Sequence, residues 1–170
     1  MNIILFGMMA AGKTTVGERL ALAMRRSFVD TDRLIVERHG EIAEIFQYHG
    51  EGYFRALEGE IVKELVQNDG QVVAVGGGLV MSEENVSRLK ANGKMVYLHG
   101  SVTTLVERLT GDKTRPLLQA DGVSLAEQVE KILSARVPIY ERVADFTVDI
   151  DGKTPENIAV EIMAKLQENQ

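Results

Sequence analysis

The sequence predicts an α/β domain in which a parallel sheet carries helices on both faces. Short apolar runs alternate with longer segments of helical period, the pattern of repeated strand-helix-strand units. The runs are β-branched or aliphatic with little polar alternation, as strands covered on both faces require. The first run also leads through a glycine-bounded loop directly into an amphipathic segment.

Five strands are expected, at Asn2 to Phe6, Ser27 to Asp30, Gln71 to Val75, Lys94 to Leu98 and Asp145 to Ile150. Helices are expected at Lys13 to Arg25, Glu41 to Gln47, Gly52 to Gln67, Ser82 to Ala91, Val102 to Thr110, Ser124 to Arg136 and Thr154 to Gln167. Ser82 before Glu83-Glu84, Ser124 three residues before Glu127, and Thr154-Pro155-Glu156 supply N-terminal capping chemistry. Gly70 and Gly93 follow two helices where a left-handed residue is commonly needed. Gly111 to Gly122 is the one long irregular stretch, with Asp112-Lys113-Thr114-Arg115-Pro116 at its centre, and its length marks it as a mobile lid or a disordered loop.

The 170 residues are 45% apolar, 26% charged and 5% aromatic, which fits a single domain over residues 1–170. Lys and Arg number 19 against 25 Asp and Glu, and the net charge of −6 argues against a nucleic-acid partner. With 0 Cys, disulfide scaffolds, thiol catalysis and cysteine zinc sites are excluded. His39, His49 and His99 lack metal-ligand spacing and read as surface or loop residues. No apolar run approaches the roughly 18 residues of a membrane span. Met1 to Ala11 resembles the apolar part of a signal peptide, but no positive residue precedes it and Lys13 follows, so it reads as a buried first strand and a cytoplasmic location is expected.

Gly7-Met8-Met9-Ala10-Ala11-Gly12-Lys13-Thr14 matches G-x-x-x-x-G-K-[ST] between a strand and a helix, the context that pattern needs. Backbone N–H groups and the positive helix end surround a β-phosphate there, Lys13 reaches the β- and γ-phosphates, and the Thr14 hydroxyl ligates Mg²⁺. The bland alternative is a glycine turn before an ordinary helix. A guanine-reading N-K-x-D is missing, which points away from a GTPase switch and towards a small-molecule or nucleotide kinase.

Phe28-Val29-Asp30-Thr31-Asp32 ends the second strand with two carboxylates two residues apart. Alternate residues of an extended segment point the same way, so both can face the crevice at the carboxyl edge of the sheet. One carboxylate then serves the Mg²⁺ shell and the other orients or deprotonates an acceptor hydroxyl. An acidic turn capping the next helix accounts for the same residues equally well.

Further on come Phe54-Arg55-Ala56-Leu57-Glu58, Gly76-Gly77-Gly78 after the third strand, Thr114-Arg115-Pro116-Leu117-Leu118, and Arg136-Val137-Pro138-Ile139-Tyr140. In this order, with the phosphate loop and the paired aspartates, the set resembles the shikimate kinase family from Ile3 to about Pro155. The resemblance implies a three-layer P-loop kinase fold with strand order 2-3-1-4-5 and a mobile lid. It also implies ATP-dependent phosphorylation of the shikimate 3-hydroxyl, in chorismate and aromatic amino-acid biosynthesis, by a monomer. The implied catalytic residues are Lys13, Asp32 and Arg115, and the implied metal ligands are Thr14 and Asp30. ATP would lie against Gly7, Met8, Met9, Ala10, Ala11, Gly12, Lys13, Thr14 and Thr15, with Arg108, Arg115, Pro116 and Lys153 towards the base and lid.

For shikimate, the resemblance implies a binding region over residues 31–62 that includes Asp32, Phe46, Phe54, Arg55 and Glu58, completed by Gly76, Gly77, Gly78, Arg115 and Arg136. Arg55 and Arg136 would grip the carboxylate, with Glu58 orienting Arg55 from behind. By itself Arg55-x-x-Glu58 is equally an ion pair along a helix, and core packing accounts for either phenylalanine. The glycines are expected to let the substrate ring approach bare backbone. Two positions depart from the family: Ala10 stands where glycine is usual, at a cost of about 1 kcal/mol if positive φ is needed, and Lys153 stands where arginine often lies near the adenine. Competing readings are a gluconate kinase-like enzyme of the same fold and a non-catalytic ATP-binding sensor.

Overall fold

The computed structural model describes residues 1–110 and 124–169. The strands are β1 (Asn2–Phe6), β2 (Ser27–Asp30), β3 (Gln71–Ala74), β4 (Gly93–His99) and β5 (Phe146–Asp149). The helices are α1 (Lys13–Met24), α2 (Thr31–His39), α3 (Ile42–Leu65), α4 (Glu83–Asn92), α5 (Val102–Thr110), α6 (Leu125–Val143) and α7 (Pro155–Glu168). A single 3-10 turn, Leu79–Met81, links β3 to α4.

All four strand pairings are parallel, in the order β2-β3-β1-β4-β5. The central strand β1 is buried along its whole length, with Ile3 beside Val72 of β3 on one side and Lys94 of β4 on the other. Its continuous apolar run has no solvent face to serve, which is why it does not alternate. The order brings the carboxyl ends of β1, β2 and β3 to one edge, and the phosphate loop, the paired aspartates and the three glycines all leave from there. Ser82, Ser124 and Thr154 cap their helices as expected, accepting bonds from the N–H groups of Asn85, Glu127 and Asn157. Among the described residues no helix is long and apolar enough to cross a membrane.

Several elements differ from expectation. Thr31–His39 is a helix, not a continuation of strand, and Asp30 caps it by accepting from Arg33 N at 3.1 Å. The segments expected at 41–47 and 52–67 meet within α3 at a kink where Gly50 has φ 81° and ψ 172°. Helix α6 runs through Pro138 to Val143. It can do so because the carbonyl that proline leaves without its donor belongs to Ser134, an exposed residue that water reaches. Gly93 is extended, φ −159°, and opens β4; a Cβ there would stand 2.7 Å from the Asn2 carbonyl oxygen, so close strand packing explains it. Gly70 is left-handed as expected, φ 73°. His39 and His49 are exposed on helices, while His99 ends β4 and pairs with Asp149 at 2.9 Å. The lid expected at 111–122 lies outside the described residues.

Candidate active site

The loop from Gly7 to Gly12 folds over the start of α1, with Ala11 N donating to Met8 O at 3.2 Å. Gly12 takes φ 85° and Ala10 φ 64°, so the alanine at the departing position does sit in the left-handed region. Lys13 Nζ lies across the loop, donating to Gly7 O at 2.7 Å and Met8 O at 3.3 Å. The next residue, Thr14, donates its hydroxyl to Asp30 Oδ2 at 2.5 Å. Asp30 thus bears out the capping alternative with one oxygen, while its other oxygen meets the phosphate-loop threonine. Thr15 is exposed beside them. Arg108, on α5, donates to Ala10 O at 3.2 Å and lies over Gly12, so it leans onto the phosphate loop, a placement no spacing in the sequence indicated.

The three glycines after β3 are where the rest of the site converges. A Cβ on Gly76 would stand 2.8 Å from Asp32 Oδ1 and 3.1 Å from Glu58 Oε2. One on Gly77 would stand 3.0 Å from Arg136 Nη1 and 3.3 Å from Gly7 O. One on Gly78 would overlap the Arg55 guanidinium, 2.5 Å from Nη2 and 2.7 Å from Nη1. The bare backbone that was expected to admit a substrate ring thus has a second reason: each glycine makes room for one of the protein's own charged side chains. The loop is itself held by Thr31, whose buried hydroxyl accepts from Gly76 N at 3.1 Å, and by Tyr140, whose hydroxyl donates to Gly77 O at 2.6 Å. Sequence reasoning gave neither residue a role, although Thr31 stood between the aspartates and Tyr140 closed the arginine motif.

Arg55 and Arg136 come from α3 and α6 and meet at adjacent residues of this loop, bordering a cavity of about 540 Å³. Arg55 Nη1 donates to Glu58 Oε1 at 2.6 Å, and Nη2 reaches the exposed Glu51 at 3.4 Å. Burial works against the Arg55 charge, yet these ion pairs outweigh it and its pKa is raised. Glu58 is 1% exposed. Burial pushes its carboxyl up to about 7, with Arg55 and Arg136 pulling down and the neighbouring Asp32 pushing further up. Phe54 is buried and Phe46 half-buried, their ring centroids 5.0 Å apart, and the Arg55 guanidinium lies 5.3 Å from the Phe54 centroid. Both rings pack into the interior, as the core-packing alternative expects, and neither lines the cavity that Arg55 and Arg136 border.

The structure brings together Lys13, Thr14, Asp30, Asp32, Arg55, Glu58, Arg136 and the three glycines. Lys153 stands apart, paired with Glu161 of α7 at 2.7 Å. Arg115 and Pro116 lie outside the described residues.

A five-stranded sheet of this order, with a G-x-x-x-x-G-K-T loop leaving its central strand, defines the P-loop kinase fold. The same fold is seen in a gluconokinase from Sinorhizobium meliloti, at 16% identity, TM-score 0.54, over 99% of this chain and 94% of that one. The shikimate kinase family model matches residues 9–167. A shikimate kinase from Thermodesulfovibrio yellowstonii is 41% identical over 98% of this chain and 95% of its own length. A solved shikimate kinase from Acinetobacter baumannii, in complex with shikimate, superposes with a TM-score of 0.93 at 36% identity, over 99% of this chain and 94% of that one. The chain belongs to the shikimate kinase family.

Proposed function

We propose that this crevice carries the ATP-dependent phosphorylation of the shikimate 3-hydroxyl, giving shikimate 3-phosphate and ADP, with the residues in the following roles. The loop from Gly7 to Gly12 and the N-terminus of α1 hold the nucleotide phosphates, and Lys13 leaves Gly7 O and Met8 O to neutralise charge on the β- and γ-phosphates. Arg108 supports the same loop. The hydroxyl of Thr14 and the carboxylate of Asp30 are hard oxygen donors within 2.5 Å of each other, a donor pair that suits Mg²⁺. When bound, Mg²⁺ neutralises phosphate charge. Its usual coordination takes only one or two protein groups, the rest coming from phosphate and water.

On the acceptor side, the forked guanidinium groups of Arg55 and Arg136 bind the shikimate carboxylate, with Glu58 fixing Arg55. Asp32 accepts the hydrogen bond of the acceptor hydroxyl and takes its proton as the new O–P bond forms. Phe46 and Phe54 supply the apolar wall. The family resemblance assigns Arg115 and Pro116, outside the described residues, to a lid that excludes water; Lys153, held by Glu161, is given no part in the reaction.

The observation that carries this reading is the meeting of two arginines from distant helices at Gly77 and Gly78, since a clamp for one carboxylate explains both. An ADP-release assay with shikimate, gluconate and nucleoside monophosphates tests it. Shikimate alone should support turnover, and Arg136→Lys should raise its KM with little change for ATP. Turnover of gluconate or a nucleotide at comparable rates overturns the assignment.

A further inference from the structure

We propose that Tyr140 is a positioning residue: its hydroxyl pins the Gly77 carbonyl and so sets the spacing between the Arg136 side of the acceptor clamp and the phosphate loop. The glycine loop has no side chains of its own to anchor it, so its place depends on backbone hydrogen bonds. Gly76 N is held by Thr31 Oγ1, and Gly78 O accepts from Met81 N at 3.1 Å in the 3-10 turn. Gly77 O is held by Tyr140 at 2.6 Å.

Tyr140 is a rigid point to be tied to. It is 0% exposed, and its ring packs against Phe6 of β1 at 5.6 Å and Tyr97 of β4 at 5.1 Å between centroids. The hydroxyl is therefore fixed to the middle of the sheet. Arg136 precedes it by one helical turn on α6, so both project from the same helix face towards Gly77. The other neighbour of Gly77 is Gly7 O, the oxygen that accepts from Lys13 Nζ at 2.7 Å. Gly77 thus lies between acceptor clamp and donor loop, with Arg136 Nη1 and Gly7 O facing its bare Cα and Lys13 held on Gly7 O. Phosphoryl transfer depends on the alignment of the two sides, and displacements of about 1 Å at such a junction cost on the order of a hundredfold in rate. Removing the hydroxyl frees the Gly77 peptide at that junction while leaving the phosphate loop's own bonds intact.

The test is Tyr140→Phe, which keeps the ring and deletes the hydroxyl, both as donor to Gly77 O and as acceptor for Arg136. Shikimate KM should rise about tenfold, the equivalent of roughly 1.4 kcal/mol, with kcat reduced and ATP KM changed by less than about twofold. In an Arg136→Lys background the same substitution should add less than about twofold to shikimate KM, because the two act on one contact. Should Tyr140→Phe fail to fold, Gly77→Ala probes the same junction by pressing on Arg136 and Gly7 O, and it should give the same pattern. Wild-type kinetics with only a lowered Tm, KM values that rise together for both substrates, or a multiplicative double variant overturn the inference. The inference rests on Arg136 gripping the acceptor: an Arg136→Lys enzyme with unchanged shikimate KM overturns that reading and this one together. A raised KM in Arg136→Lys beside wild-type behaviour in Tyr140→Phe overturns this one alone.

Discussion

Gly78→Ala is a methyl-sized probe of the carboxylate clamp. Gly78 has φ −97° and ψ −6°, a conformation alanine adopts without strain, so the substitution acts through space rather than through the backbone. The added carbon would stand 2.5 Å from Arg55 Nη2, 2.7 Å from Nη1 and 2.8 Å from Cζ, about 1 Å inside ordinary contact. All three distances fall on one planar group, so no rotation about the guanidinium axis relieves them and the head must withdraw from the loop. If one charge-assisted contact to the shikimate carboxylate is lost, the change is roughly 1.5–3 kcal/mol, or between about tenfold and a hundredfold in shikimate KM. Initial rates with shikimate varied at saturating ATP, and the reverse, measure this directly. ATP KM should hold, and a shikimate analogue lacking the carboxylate should lose almost nothing further. Gly59→Ala is the control, because its Cβ would meet only Asn85 Oδ1 at 3.8 Å and alanine suits a helix interior. A Gly78→Ala enzyme whose shikimate KM stays within about threefold of wild type would show that Arg55 makes no contact worth 1.5 kcal/mol with the substrate.

Lys13→Ala should reduce kcat below about 1% of wild type while Tm moves little, since charge stabilisation of the transferring group is lost and the core is untouched. Asp30→Asn should keep the cap on α2 but raise the Mg²⁺ concentration for half-maximal rate; Asp32→Asn should lower kcat without that shift, and Mg²⁺ titrations giving the same response for both would refute the division of roles. Ala10→Gly should raise stability by about 0.5–1 kcal/mol in urea melts, because alanine sits at φ 64°; an unchanged midpoint would mean the loop relaxes at no cost. Glu58 holds its proton to about pH 7 in the folded protein against 4.5 ordinarily, so the folded state binds more protons than the unfolded one across that window. Stability relative to a Glu58→Gln variant should accordingly be greatest below about pH 4.5 and fall by about 3 kcal/mol as pH rises through 7, read from paired unfolding curves; a difference independent of pH would refute it.

The sheet was legible because a buried parallel strand leaves a continuous apolar run, and all five strands read within one residue at each end. What stayed hidden depended on contacts distant in sequence. Helix α2 was missed because Asp30-Thr31-Asp32 reads as extended when strand alternation is carried past Asp30 to Asp32, although the capping alternative was there in the same residues. The end of α6 was missed because Pro138 ordinarily stops a helix, and only an exposed position opposite the lost hydrogen bond lets it continue. Lys13, Thr14, Asp30 and Asp32 were singled out by motif and Arg55, Glu58 and Arg136 by the family resemblance, and the structure gathers them at one edge of the sheet. The reason for three glycines was not, since it lies in side chains arriving from α2, α3 and α6. Thr31 and Tyr140 fall in the same class: a hydroxyl that holds a backbone group 45 or 63 residues away leaves no mark on local pattern.

The burial of Glu58 explains how Arg55 is prepared for an anion before one arrives. A carboxylate at 1% exposure is unfavourable alone, and its raised pKa records that. Its 2.6 Å bond to Nη1 fixes one edge of the guanidinium, while Glu51 holds Nη2 only at 3.4 Å and from an exposed position. The two edges are thus unequally committed: one is locked into the protein and the other is readily surrendered to a better partner. On the proposed clamp, an incoming carboxylate would replace the weak Glu51 contact without disturbing Glu58, and the arginine would not need to be reoriented as it binds. Lysine has no second edge to divide in this way, so at this position the fork matters more than the charge. The backbone at Gly78 closes the remaining side of the group, and a buried carboxylate and a missing Cβ together aim Arg55 at the place where Arg136 meets it.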